Sequence, residues 1–192
     1  MFTVVLDACV LVPQTLADTV LRIAERGAFG VRWSATILDE VARTMRRLGA
    51  TEAQVEHRIS AMRLAFPFAE VSNYCDLEPG LSNDPKDRHV LAAAIRSECH
   101  TVVTFNLKDF PDDSLEPWGV EVLHPDQFLL NQLDLAPGLV VTALQQQSAA
   151  YTDPPRTVDD ILARLVRSDV PDFADECRRH LPRRPQGTDL DD

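Results

Sequence analysis

Carboxylates recur at four places along this 192-residue chain, each where a strand or loop should give way to a helix. They are Asp7 in Leu6-Asp7-Ala8-Cys9, the pair Asp39-Glu40, Asp84 and Asp87 in Asp84-Pro85-Lys86-Asp87, and Asp109 in Asn106-Leu107-Lys108-Asp109. Acids so far apart share a ligand only if folding brings strand ends together. Open α/β sheets do this, because ligands bind outside the carboxyl ends of their parallel strands. Converging carboxylates suit Mg²⁺ or Mn²⁺, hard cations that take oxygen ligands and complete their shell with water and substrate phosphate. In phosphodiester hydrolysis such an ion holds a phosphoryl oxygen, acidifies a bound water and stabilises the leaving oxygen, and two ions about 3.5–4 Å apart can share those tasks. This chemistry needs no cysteine, serine or histidine nucleophile.

Asp7 carries the strongest argument. It interrupts the apolar runs Val4-Val5-Leu6 and Ala8-Cys9-Val10-Leu11, so it sits at the end of a buried strand. A carboxylate buried there without a partner or an ion would be costly. Each of the other acids also has a plain structural reading. Asp84 and Asp87 have the spacing of a capping box, Glu40 falls on the charged face of a helix, and Asp109 beside Asn106 suits a loop that binds its own backbone. His89, two residues beyond Asp87, fits a structural or solvent-facing role better than a site role. Arg43, Arg46 and Arg47 flank Glu40 and form either a solvated face or contacts to phosphates beside a scissile bond. Asp-x-Cys lacks the second acid of an aspartyl-phosphate phosphatase, and no glycine-rich loop follows the first strand to bind a nucleotide.

These residues must be positioned by short, nearly continuous apolar strands at Phe2–Leu6, Gly30–Trp33, Thr101–Phe105 and Val120–Leu123. Helical spacing links Leu16, Val20, Ile23 and Ala24, with Gly27 beyond the end. Ser34 is placed to cap a helix carrying Ile37, Leu38, Val41 and Met45, and Thr51 begins another that Pro67 ends. Asp84 is expected to cap a helix running through Val90, Leu91, Ala94 and Ile95. This order predicts a three-layer α/β domain with a mostly parallel sheet over residues 1–130. Helices at Pro137–Tyr151, Thr157–Ser168 and Pro171–Leu181 form a C-terminal extension over 131–182, and residues 183–192 have the composition of a disordered tail.

Thirty acidic against nineteen basic residues leave a formal net charge of −11, which argues against binding nucleic acid by a basic surface alone. A nuclease is not excluded, because a divalent ion neutralises its site. Cys9, Cys75, Cys99 and Cys177 are scattered without zinc-ligand spacing and read as buried thiols of a cytosolic protein. No leader or membrane-spanning segment is evident, so a soluble, cytoplasmic protein without membrane contact is expected.

Four segments in order resemble the PIN-domain ribonucleases, in particular the toxins of bacterial VapBC-type toxin-antitoxin pairs. They are Val4–Leu11, Ser34–Val41, Asp84–Ala94 and Val103–Phe110, covering roughly residues 1–130. The resemblance implies a PIN-like α/β/α fold and Mg²⁺- or Mn²⁺-dependent cleavage of RNA. It makes Asp7, Glu40 and Asp87 the metal-site acids. Asn106 falls where many members have a fourth aspartate, with Asp109 the nearby acid, and Thr104 matches a hydroxyl position that could orient a water or a ligand. Homodimerisation and inhibition by a cognate antitoxin are implied too. The helical extension resembles the longer branch of the family.

The leading reading is therefore a metal-dependent endoribonuclease acting as a growth-inhibiting toxin. Asp7, Glu40, Asp87, Asn106 and Asp109 are its catalytic candidates, Thr104 and Asp84 support them, and Arg43, Arg46 and Arg47 are candidates for RNA contact. A non-catalytic PIN-like RNA-binding or scaffold protein is the alternative, and a small-molecule phosphohydrolase is a third.

Overall fold

A computed structural model describes residues 2–181. The strands are β1 (Thr3–Leu6), β2 (Gly30–Ser34), β3 (Glu70–Val71), β4 (Thr101–Val103) and β5 (Glu121–Leu123). They form one sheet in the order β3-β2-β1-β4-β5, with every neighbouring pair parallel. β1 lies in the middle, with Val4 opposite Val31 on one side and Val5 opposite Val102 on the other. Val4, Val5 and Leu6 are fully buried because helices cover both faces.

The connections are α1 (Ala8–Leu11), α2 (Gln14–Glu25), α3 (Ala35–Arg47), α4 (Glu52–Ala65), α5 (Arg88–Arg96) and α6 (Asp112–Leu115). From β1 the chain moves outward through β2 to β3, then returns to place β4 on the other side of β1. The β1/β4 boundary is thus a topological switch point, and the carboxyl ends there open a crevice. The Ser34 hydroxyl accepts from Ile37 N, and Thr51 with Gln54 completes a capping box. Both caps lie where the residue pattern places them.

One expected start is displaced. Asp84 does not cap a helix, and Asp87 makes no capping box. The Asp84 carboxylate accepts from Lys86 N at 3.1 Å, and its carbonyl accepts from Asp87 N at 2.9 Å. These bonds form a turn, so α5 begins only at Arg88, and Asp87 stands at the cap position without a capping hydrogen bond. The two-residue β3 and four-residue α1 carry too few residues to show a periodicity.

Four further helices follow: α7 (Pro125–Leu135), α8 (Pro137–Ala150), α9 (Val158–Arg167) and α10 (Pro171–His180). α7 runs unbroken through residue 130, where composition suggested a division. These helices join the same apolar core as the sheet. Phe128 of α7 meets Phe29, just before β2, edge-on at 4.8 Å between ring centroids. Gln147 of α8 accepts from the Thr19 hydroxyl at 2.8 Å and donates to the Thr15 carbonyl at 3.1 Å, pinning α8 to α2. Asp126 accepts from Asp172 N and Phe173 N, satisfying the first turn of α10 from α7. The expected tail at 183–192 lies outside the described residues.

Among the described residues no helix is long and apolar enough to cross a membrane. Cysteine burial is uneven: Cys99 and Cys177 are buried, but Cys9 is half-buried and Cys75 is exposed, which corrects the expectation of four buried thiols.

Candidate active site

Asp7 follows β1 directly and caps α1, which places it at the switch point. It is 3 % exposed, and the chain supplies it with three donors. Oδ1 accepts from Ala8 N at 2.5 Å, while Oδ2 accepts from the Thr104 hydroxyl at 2.6 Å and the Cys9 thiol at 3.1 Å. A carboxylate has about four acceptor positions, so one remains on Oδ1. Thr104, fully buried just after β4, also accepts from Asn106 N at 3.0 Å. One hydroxyl thereby fixes both the Asp7 carboxylate and the backbone after β4. Thr104→Val, which keeps shape and loses both bonds, is expected to lower turnover at this cleft about 10–100-fold, the usual cost of losing an outer-shell partner, whereas Thr104→Ser should retain most activity. Equal rates for wild type and Thr104→Val would remove this role.

Asp87 lies in the turn before α5 and is 7 % exposed, with Oδ2 buried and lacking any hydrogen-bond partner. Burial first, then the charge of Asp7, push its carboxyl up to about 6. Lys86 opposes this rise, while Asp109 and Asp84 add to it. The Glu40 Oε2 oxygen lies 3.3 Å from His89 Nε2, and Oε1 lies 3.7 Å from Arg43 Nη2. The His89 contact has ion-pair distance without the alignment of a hydrogen bond, since Nε2 is buried and unpartnered by angle. Burial acts to lower the His89 pKa, but pairing with Glu40, aided by Asp7 and Asp87, outweighs it and the net shift is upward.

Asp7, Glu40, Asp87 and Asn106 line one open cleft of about 820 Å³, together with Cys9, Lys86, Arg43 and Arg47. Arg46 is not among them; its guanidinium holds Glu52 of α4 through bonds of 2.8 and 2.5 Å. Asp109 is buried beside the cleft, and its Oδ2 lies 3.2 Å from Lys86 Nζ. A slightly larger cleft of about 860 Å³ runs between α2 and α4, but it contains none of the candidate site residues.

Two observations bear on whether a divalent ion fits. Among the described residues no three His, Cys, Asp or Glu side chains are already gathered to hold one. The buried Asp87 Oδ2 has no donor, however, and it shares the cleft with the open position on Asp7. An all-oxygen set of this kind favours Mg²⁺ or Mn²⁺ over softer metals. The donor chemistry fits, and Asp7, Glu40 and Asp87 line the same cleft.

Residues 3–108 match the PIN domain family. This chain belongs to the PIN-domain family. Residues 125–179 match a second family, the VapC50 C-terminal domain. A Mycobacterium tuberculosis (strain ATCC 25618 / H37Rv) protein named "Putative ribonuclease VapC50" is 44 % identical over 123 residues, which is 64 % of this chain and 70 % of that relative. No solved structure matches the chain. The two matched segments and this relative make it a PIN-domain protein of the VapC type.

Within this PIN domain, two neighbours of the acids were not assigned to the site from sequence. Cys9 is no inert core thiol: besides donating to Asp7 it accepts from Phe105 N at 3.3 Å. Burial, then the Asp7 charge, push the thiol up to about 12, so it stays protonated and able to donate. His89 faces Glu40 rather than solvent. For both, the available signal was a position two residues beyond a site acid.

Proposed function

We propose that this PIN-domain protein is a divalent-metal-dependent endoribonuclease and the toxin of a toxin-antitoxin pair. The observation that carries the reading is the shared cleft at the β1/β4 switch point, where Asp7 is oriented by three donors and Asp87 keeps a buried oxygen unpartnered. Asp7 and Asp87 would hold Mg²⁺ or Mn²⁺. Glu40, steadied by His89 and Arg43, would complete the ligand set or orient the attacking water, with Asn106 beside it. When bound, the ion supplies Lewis-acid polarisation of a phosphoryl oxygen and a water acidic enough to attack near neutral pH. Thr104 and Cys9 keep the Asp7 carboxylate in place, and Asp84 shapes the turn that presents Asp87. Arg43 and Arg47, which line the cleft, would neutralise phosphates flanking the scissile bond, and Arg46, held by Glu52, would contribute less. A cognate antitoxin, an RNA substrate, a homodimer and a cytoplasmic location belong to the same proposal. The PIN domain and the helical extension are best divided near residue 124, before α7.

The test is cleavage of total cellular RNA by purified, folded, antitoxin-free protein with Mg²⁺, with Mn²⁺ and with chelator. Discrete fragments that need metal are expected. Their rate at limiting metal should fall as pH drops below about 6, because protonation of Asp87 then competes with metal uptake. The absence of fragments under every condition would shift the reading to a non-catalytic PIN-like RNA-binding protein, for which the neutral Asn106 speaks. Turnover of a phosphomonoester but not RNA would instead indicate a phosphohydrolase.

A further inference from the structure

We propose that Lys86 takes the place of a second metal ion, so that the site holds one divalent cation per chain. The inference rests on the metal-dependent reading above and deepens it. The turn before α5 places Lys86 among three acids, with Nζ 3.2 Å from Asp109 Oδ2, 3.9 Å from Asp84 Oδ2 and 4.0 Å from Asp87 Oδ2. These acids come from two loops joined by the bond from Asp84 N to the Asp109 carbonyl, at 3.1 Å. The side chains of Asp87 and Asp109 are each only 10 % exposed, so their charges are poorly screened by water and need a cation between them.

The ammonium meets that need. Held within 4.0 Å of all three carboxylates, it offsets part of their charge. Asp7, at the other side of the cleft, has no ion pair among the described residues; the contacts within 4.0 Å that involve site acids go to Glu40, Asp84, Asp87 and Asp109. Charge is therefore uncompensated toward Asp7 and compensated toward Asp109. A divalent ion is drawn to the first position and repelled from the second by an ammonium already there. Asn106, which lines the same cleft, brings no charge to offset that repulsion.

The experiment counts Mn²⁺ bound to the purified full chain, by calorimetric titration and by the electron paramagnetic resonance signal of free Mn²⁺. It compares wild type, Lys86→Gln, Lys86→Arg and Asp87→Asn. The Lys86 side chain is 64 % exposed, so its variants should fold. One ion per chain is expected for wild type and Lys86→Arg, and two for Lys86→Gln, whose RNA cleavage should turn from first to second order in Mn²⁺. Two ions in wild type, or a single ion in Lys86→Gln, would overturn the role of Lys86 while leaving the metal centre intact. No binding to wild type, or binding indifferent to Asp87→Asn, would bring down the metal centre itself and this inference with it.

Discussion

Asp87→Asn is expected to abolish metal-dependent RNA cleavage while making the metal-free protein more stable. Loss of an outer-shell partner typically costs about 10–100-fold, so removing a charged ligand should cost roughly a thousandfold or more. The stability gain follows from the carboxyl being held at about 6, against an ordinary value of 3.8. A raised carboxyl pKa means that the fold prefers the protonated acid. The stabilisation from this group is complete below about 3.8 and is lost as pH rises through about 6. At pH 7.5 the ionised Asp87 therefore destabilises the fold. At about 1.4 kcal/mol per pH unit the ceiling is roughly 3 kcal/mol, which solvent in the open cleft reduces to about 1–2 kcal/mol.

Substitution by the neutral amide should accordingly raise Tm in chelator by about 2–8 °C at pH 7.5, since 1 kcal/mol corresponds to about 2–4 °C in a chain of this size. The difference from wild type should close as pH falls from 6 toward 4. Asp7→Asn offers the contrast. It should be equally inactive but gain no stability, because Asp7 accepts three hydrogen bonds that an amide cannot fully replace. Thermal melts and cleavage assays on both variants distinguish the cases. An active Asp87→Asn, or one whose Tm in chelator matches wild type at pH 7.5, contradicts the assignment of this acid.

The second large effect lies far from the cleft. Phe128→Ala should destabilise the whole chain by about 3–5 kcal/mol, the usual cost of deleting a buried phenyl ring, and lower Tm by roughly 10 °C. Phe128 is 1 % exposed and packs edge-on against Phe29, so its loss opens a cavity where α7 meets the sheet domain. Because one apolar core runs through both parts, the protein should still melt in a single transition monitored by calorimetry. Separate melting of the C-terminal helices, with the PIN domain unchanged in Tm, would show that the extension is an independent unit.

Residue pattern alone determined much of this architecture. Val4-Val5-Leu6 and Val102-Val103 are β-branched and apolar runs too short and too hydrophobic for anything but central parallel strands, and they proved to be neighbours. Ser34 and Thr51 marked helix starts because a cap is a local interaction between residues three apart. Asp7 stood out because an acid inside an apolar run must be accounted for by something outside that run. The resemblance of four short segments placed Glu40, Asp87 and Asn106 beside it, and these residues line the cleft with Asp7.

Only the tertiary structure decided the rest. Asp84 and Asp87 have capping-box spacing, yet the 84–87 turn and its link to Asp109 hold them instead around Lys86. The three arginines of α3 look equivalent in sequence, but Glu52 on the next helix takes Arg46 while Arg43 and Arg47 remain at the cleft. Cys9 and His89 gained long-range partners, Thr104 and Glu40, from segments distant in the chain, while Asp7 is a near neighbour of Cys9. α7 is bound to the sheet by Phe29 and to α10 by its own Asp126. Local spacing sets where elements begin and which faces are apolar; which charges meet, and which acid is left without a donor, depends on long-range packing that no single segment encodes.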